Sequence, residues 1–266
     1  MMERQKLLRP ESLRYFTIRG GQGHRLESLS DGVFALAIAI LLIASSVPKS
    51  FDELLSFVYD AIPLFTCMVF IYWIWYEQAL FFMRYGLYDT RTIRLNLVLM
   101  FLTLFYAYPL KFLMSWLMQF FFYFMGAAVF AQEAFWGNIR ELSQVVAFEN
   151  LSWLMVIYGA GFFSIFWVLY LLHSHALKRS ELLQLSPIEL METRFSMRVK
   201  RVIITVTGIS IVIALIGVIF NLEFASFFAG LVYNLLWVFS IPLSKRHKRE
   251  LQTLLEKLET GKMYET

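Results

Sequence analysis

Apolar runs long enough to cross a bilayer recur along the chain, separated by short segments in which lysine and arginine gather. A helix rises about 1.5 Å per residue, so roughly 20 apolar residues cross a hydrocarbon core about 30 Å thick. Six runs meet that length, at about 29–47, 60–82, 92–113, 151–173, 200–220 and 224–243. The pattern predicts an all-α, polytopic membrane protein with six transmembrane helices per subunit. Residues 112–131 are apolar enough for another crossing, but that would put the basic 178–201 segment on the opposite side from its counterparts. They are therefore expected to extend the third helix or to form an apolar extracellular hairpin.

Charge orients the spans. Of the 24 lysines and arginines, 21 fall before the first span, between the second and third, between the fourth and fifth, or after the sixth. Only Lys49, Lys111 and Arg140 lie on or near the other side. The bias predicts that both termini are cytoplasmic. It divides the chain into a basic N-terminal segment (1–24), a six-helix membrane domain (25–243) and a polybasic tail (244–266). The first segment lacks the apolar core and cleavage site of a secretory signal. Leucines at 251, 254, 255 and 258 give the tail one apolar helical face, suited to anionic lipid headgroups or to joining subunits. In the longest polar linker, 178–201, Ser186-Pro187 opens a short amphipathic helix.

Composition narrows the chemistry. With 59% hydrophobic and 18% aromatic residues and a mean hydropathy of +0.60, the chain has too little polar surface for a soluble domain. The distribution of its +4 net charge points to membrane orientation and not to nucleic acid. Cys67 is the single cysteine, which excludes an intrachain disulfide and a cysteine metal site, and no basic neighbour activates it. His173 and His175 are two positions apart at a helix end, leave different faces and suit interfacial polar residues better than a metal pair. There is no phosphate-binding loop. The string TVTGIS at 205–210 lies inside an apolar run and does not make a carbonyl filter. These observations predict neither an enzyme nor a cofactor.

Ionisable groups within spans are costly unless paired or wetted. Glu77 lies near the inner end of the second span, where belt aromatics accept an interfacial acid. Asp31 opens the first span, and Ser28-Leu29-Ser30-Asp31 fits a helix-capping pattern. The same stretch places Leu36, Ala39, Ile40 and Ile43 at helical spacing on one face, with Ala35, Ala37 and Ala39 keeping the helix slim. A helix packed round an axis with its own copies needs both features.

The run Arg25-x-x-x-Leu29-Ser30-Asp31-Gly32-Val33-Phe34-Ala35, continuing to Val47-Pro48, resembles the first-helix signature of the endolysosomal-type potassium channel family. Ile71-Tyr72-Trp73 with Ala79-Leu80-Phe81 is similar to its second-helix pattern, and Leu95-Asn96-Leu97 with Pro109 to its third. The resemblance covers residues 25 to about 113. It implies a single-repeat, prokaryotic-type member in the plasma membrane, assembled as a homotetramer with the first helix lining a central pore. K⁺ is the implied ion, with Na⁺ and H⁺ as further candidates. A secondary transporter or proton-permeable protein is the alternative. Leu36, Ala39, Ile40 and Ile43 would line or gate the pore, and Arg25, Ser30 and Asp31 would form the polar network behind it, with Arg25 holding Asp31. Three features differ from the family pattern. Leu29 replaces phenylalanine, Ala39 stands where threonine is common, and Trp75-Tyr76-Glu77-Gln78 replaces histidines and a basic residue. A hydrophobic ring without coordinating hydroxyls implies weak potassium selectivity.

Overall fold

The computed structural model describes residues 13–20, 25–43, 49–51, 54, 57–58, 61–130, 150–222 and 224–259, with side chains except at 43, 119–130 and 258–259. The described residues are helical, with no strand. Helix α1 spans Arg25–Ile43, α2 Ala61–Tyr85, α3 Thr90–Phe130, α4 Leu151–Lys178 and α5 Pro187–Phe220. A short α6 (Ala225–Leu231), a 3-10 turn (Val232–Asn234) and α7 (Leu235–Glu259) together make the sixth unit. Among the described residues, five spans are long and apolar enough to cross a membrane: α2, α3, α4, α5 and the sixth unit. The predicted end of the first span (44–47), Arg140, and the termini before 13 and after 259 lie outside the described residues.

Two groups pack together. Helix α1 lies against α2 and α3, while α4 and α5 form the most extensive pair and carry the sixth unit. Contacts of α4 with α2 and α3 join the groups. The shared core holds Phe34 and Leu41 of α1, Ile71 and Phe81 of α2, Leu99 of α3 and Leu169 of α4.

Several helices run further than the hydropathy pattern suggests. Helix α3 continues through 112–130, extending the third span over most of the stretch left open between extension and hairpin. Its 41 residues measure about 60 Å at the ordinary rise, well beyond one hydrocarbon thickness. Pro109 lies inside this helix, and its carbonyl accepts the Tyr158 hydroxyl of α4 at 2.5 Å. The predicted short amphipathic helix and the fifth span are one element, α5. Ser186 starts it with a capping box, accepting the Glu189 amide while the Glu189 carboxylate accepts its own, and Pro187 occupies the first turn. No further proline interrupts the helix before Asn221, which ends α5 in the left-handed region at φ 51°. Similarly, α7 passes through position 243 into the tail without interruption.

The open face of the first helix and its polar support

One face of α1 is packed and the other is open. Ser30, Phe34, Ala37 and Leu41 recur at spacings of four, three and four, and all are buried against α2 and α3. At about 100° per residue, positions 32, 36 and 39 fall on the far side of the helix. Leu36 is 50% exposed in the single chain, Gly32 is exposed, and Ala39 and Ile40 are half-buried. Ile43 ends the described backbone of α1, and its side chain lies outside the described residues.

The packed face is held by neutral hydrogen bonds. Ser30 donates to the Leu26 carbonyl one turn back at 2.8 Å and accepts from the Asn96 amide of α3 at 2.8 Å. The Asn96 carbonyl oxygen in turn accepts from the Gln78 amide of α2 at 2.8 Å. All three side chains are buried, so each bond satisfies groups that would otherwise be stranded away from water. One turn of α2 therefore reaches α1 through an asparagine on α3.

Asp31 is bonded differently from the expectation. Its carboxylate accepts the Trp75 indole N–H at 2.7 Å. Among the described residues, no ion pair joins it to Arg25. Six residues on one helix are rotated by about 240°, so the two side chains leave different faces. Arg25 is exposed at the first described position of α1. The capping pattern also fails for Ser28, because the chain is already helical at Arg25. The acid in the first described turn is Glu27, which accepts the Tyr88 hydroxyl.

The segment 75–78, where the sequence departs from the family pattern, is the support itself. Trp75 and Gln78 serve α1, while Glu77 turns to α5 and meets the buried Lys200 ammonium at 2.6 Å. Glu77 is thus one half of an interhelical ion pair and not an isolated interfacial acid. Asn96, Gln78 and Lys200 had no assigned role in the sequence, although a lone amide in each of two apolar spans was a usable signal.

His173 and His175 are both buried in the bundle. His173 bonds the Leu169 carbonyl and packs against Phe81 and Tyr85. His175 bonds Asp89 in the α2–α3 connection at 2.9 Å. Burial alone would push the Asp89 carboxyl up, but hydrogen bonds from Thr92 and His175 and the Arg179 charge outweigh it and hold its pKa below the ordinary value. Cys67 is buried and free. Thr207 and Ser210, in the filter-like string, lie inside continuous helix, where they bond the carbonyls of Ile203 and Ala229.

The four basic regions meet at one end of the bundle. Arg19 of the N-terminal segment bonds the Leu183 carbonyl between α4 and α5 and the Arg84 carbonyl at the end of α2. His247 of the tail bonds Glu192 near the start of α5 at 2.8 Å and stacks on Phe195.

A helical bundle that crosses the membrane several times, with a slim first helix held from behind by neutral polar groups, defines a multi-pass integral membrane protein. Residues 25–109, the span that carries this arrangement, match the family of the endosomal/lysosomal potassium channel TMEM175. A protein of Marivirga tractuosa described as a potassium channel is 37% identical over 241 residues, covering 89% of this chain and 94% of that one. The crystal structure of a threonine-to-alanine variant of the potassium channel MtTMEM175, bound to a nanobody–MBP fusion, superposes with a TM-score of 0.74 at 34% identity. That match covers 92% of this chain and 99% of the other. A lysosomal potassium-selective channel TMEM175 homolog from Chamaesiphon minutus matches at 19% identity and a TM-score of 0.48, over 84% of this chain and 96% of its own. The chain belongs to the TMEM175 potassium channel family, a family of channels and not of enzymes.

Proposed function

We propose that the chain forms a homotetrameric, weakly selective potassium channel whose central pore is lined by α1. The observation that carries this reading is the division of α1 into a hydrogen-bonded packed face and an apolar face with Leu36 half exposed. Potassium-channel relatives that match nearly the whole chain support it. One chain supplies one such helix. Two helices do not enclose an ion path, whereas four copies round an axis do.

In that arrangement Leu36 forms an apolar ring, followed by Ala39, with Ile40 and Ile43 continuing the lining. Narrow apolar rings resist hydrated ions and supply no oxygen in place of the water removed. Potassium holds its hydration less tightly than sodium and passes more easily, but the preference stays small. The protein lies in a prokaryotic plasma membrane with the 1–24 segment and the 244–266 tail in the cytoplasm, the tail beside anionic lipid.

Purified protein in planar bilayers tests this. A reversal potential displaced modestly toward the potassium equilibrium value in opposed K⁺/Na⁺ gradients is expected, with a tetramer in native mass spectrometry. A monomer, a dimer with two separate pores, or selectivity as strict as that of a carbonyl filter defeats the reading. The same bilayers under a proton gradient decide whether H⁺ passes.

A further inference from the structure

In the described segment before α1, Arg19 bonds three other parts of the chain. Every nitrogen of the Arg19 guanidinium donates. Nη1 reaches Glu189 Oε1 at 2.7 Å and the carbonyls of Thr17 and Arg84 at 3.1 and 3.2 Å. Nη2 reaches Glu189 Oε2 at 3.0 Å and the Gln184 carbonyl at 3.3 Å, and Nε the Leu183 carbonyl at 3.0 Å. Both carboxylate oxygens are engaged, the bidentate geometry in which arginine binds carboxylate most strongly. Glu189 also accepts the Thr17 amide at 2.8 Å, besides capping α5.

The backbone beside Arg19 is shaped for the same contact. The Arg19 and Gly20 amides both donate to the Met83 carbonyl at the end of α2. A Cβ on Gly20 would stand 2.2 Å from the Phe82 carbonyl oxygen, so only glycine permits this approach. Gly86, at φ +55°, faces the Arg19 carbonyl, and a Cβ there would stand 2.6 Å from it. The contact then passes to the pore helix. Tyr88 stacks on Phe82 with centroids 5.7 Å apart, and its hydroxyl donates to Glu27 in the first described turn of α1.

We propose that Arg19 and Glu189 are positioning residues for the pore helix, a clamp tying the segment before α1 to the end of α2, to the α4–α5 connection and to the cap of α5. The inference rests on the reading of α1 as the pore helix. A basic segment that the charge pattern assigns to lipid orientation thereby has a specific protein partner. Release of the clamp frees the entry of α1 and changes the time the pore spends open.

The test uses the full chain reconstituted as its native oligomer, with Arg19→Ala, Arg19→Lys, Glu189→Gln and the Arg19→Ala/Glu189→Gln double variant. Glutamine still serves as the third residue of a capping box, so Glu189→Gln removes the ion pair while sparing the start of α5. Losing a charge-assisted pair corresponds to a change on the order of tenfold in single-channel open probability. We expect that change in Arg19→Ala and Glu189→Gln, a smaller one in Arg19→Lys, and a double variant no worse than the worse single. Amide exchange in residues 25–31 should accelerate by a similar factor in the same oligomers. Variants that give less protein but keep the open probability and the α1 exchange of the parent overturn the clamp. A parent that passes no potassium current defeats the pore reading, and α1 exchange then decides the clamp alone.

Discussion

The two faces of α1 answer to different constraints. The packed face spends its polarity on one serine whose hydroxyl is satisfied by Leu26 and Asn96, and fills the rest of the contact with Phe34, Ala37 and Leu41. The open face has no polar side chain between Gly32 and Ala39, and its largest group, Leu36, is half exposed. Specificity of position comes from the first face; in the proposed pore, the second would supply the chemistry met by a passing ion. The support behind Ser30 is also neutral, built from two amides, while the charged pair of the same α2 turn, Glu77 with Lys200, points to α5. In the proposed pore, a net charge behind a slim helix would act on every passing cation through a medium of low dielectric. Neutral donors fix the helix without that field.

Changes on the packed face should act first on assembly. Asn96→Leu removes a partner of both Ser30 and Gln78, stranding the buried Gln78 amide and leaving Ser30 with its bond to the Leu26 carbonyl alone. A loss of about 2 kcal/mol is expected, read as a lower midpoint for thermal dissociation of the oligomer. Retained stability would mean that the neutral network is incidental. Trp75→Phe keeps an aromatic side chain but deletes the N–H that meets Asp31. Because Asp31 is exposed to solvent, the cost should be nearer 1 kcal/mol, measured in the same melt. Arg25→Ala should cost less than Trp75→Phe if the indole is the working partner of Asp31.

Changes on the open face should reverse the balance. Leu36→Ser should leave stability within about 0.5 kcal/mol of the parent, yet raise leak current by widening and wetting the proposed ring. Ala39→Thr adds a hydroxyl at the next ring and should sharpen the K⁺/Na⁺ ratio at equal stability, read from reversal potentials. An unchanged ratio would remove that ring from selectivity.

The smallest effect is expected away from both faces. The Asp89 carboxyl has a lower pKa in the folded chain than the ordinary 3.8, so its bonds to Thr92, His175 and Arg179 stabilise the fold fully above that value. The contribution disappears as pH falls through the lower, folded value. Stability of the parent should therefore fall in acid by slightly more than that of Asp89→Asn, which has already lost the charge. Parallel pH curves for the two would show that the Asp89 contacts contribute no linkage.

How far the sequence reached follows from the distance over which each feature is encoded. Five of the six expected spans, the basic bias and the face shared by Leu36 and Ala39 are local or periodic properties, legible residue by residue, because a helix repeats its faces every few positions whatever surrounds it. The first-helix signature was legible too, and it covers the span that matches the family. The bounds of α5 were not, because a capped amphipathic start and an apolar run are both good helix, and no residue between them enforces a break. The partner of Asp31 stands 44 positions away, and Ser30 meets Asn96 from 66. No periodicity encodes such pairs. Arg19 and Glu189 meet from 170 residues apart. The sequence by itself determined a multi-span helical membrane protein with one slim, apolar-faced first helix. Tertiary structure decided which groups hold that helix, because a hydrogen bond needs its atoms within about 3 Å, and only the packing of distant segments brings them there.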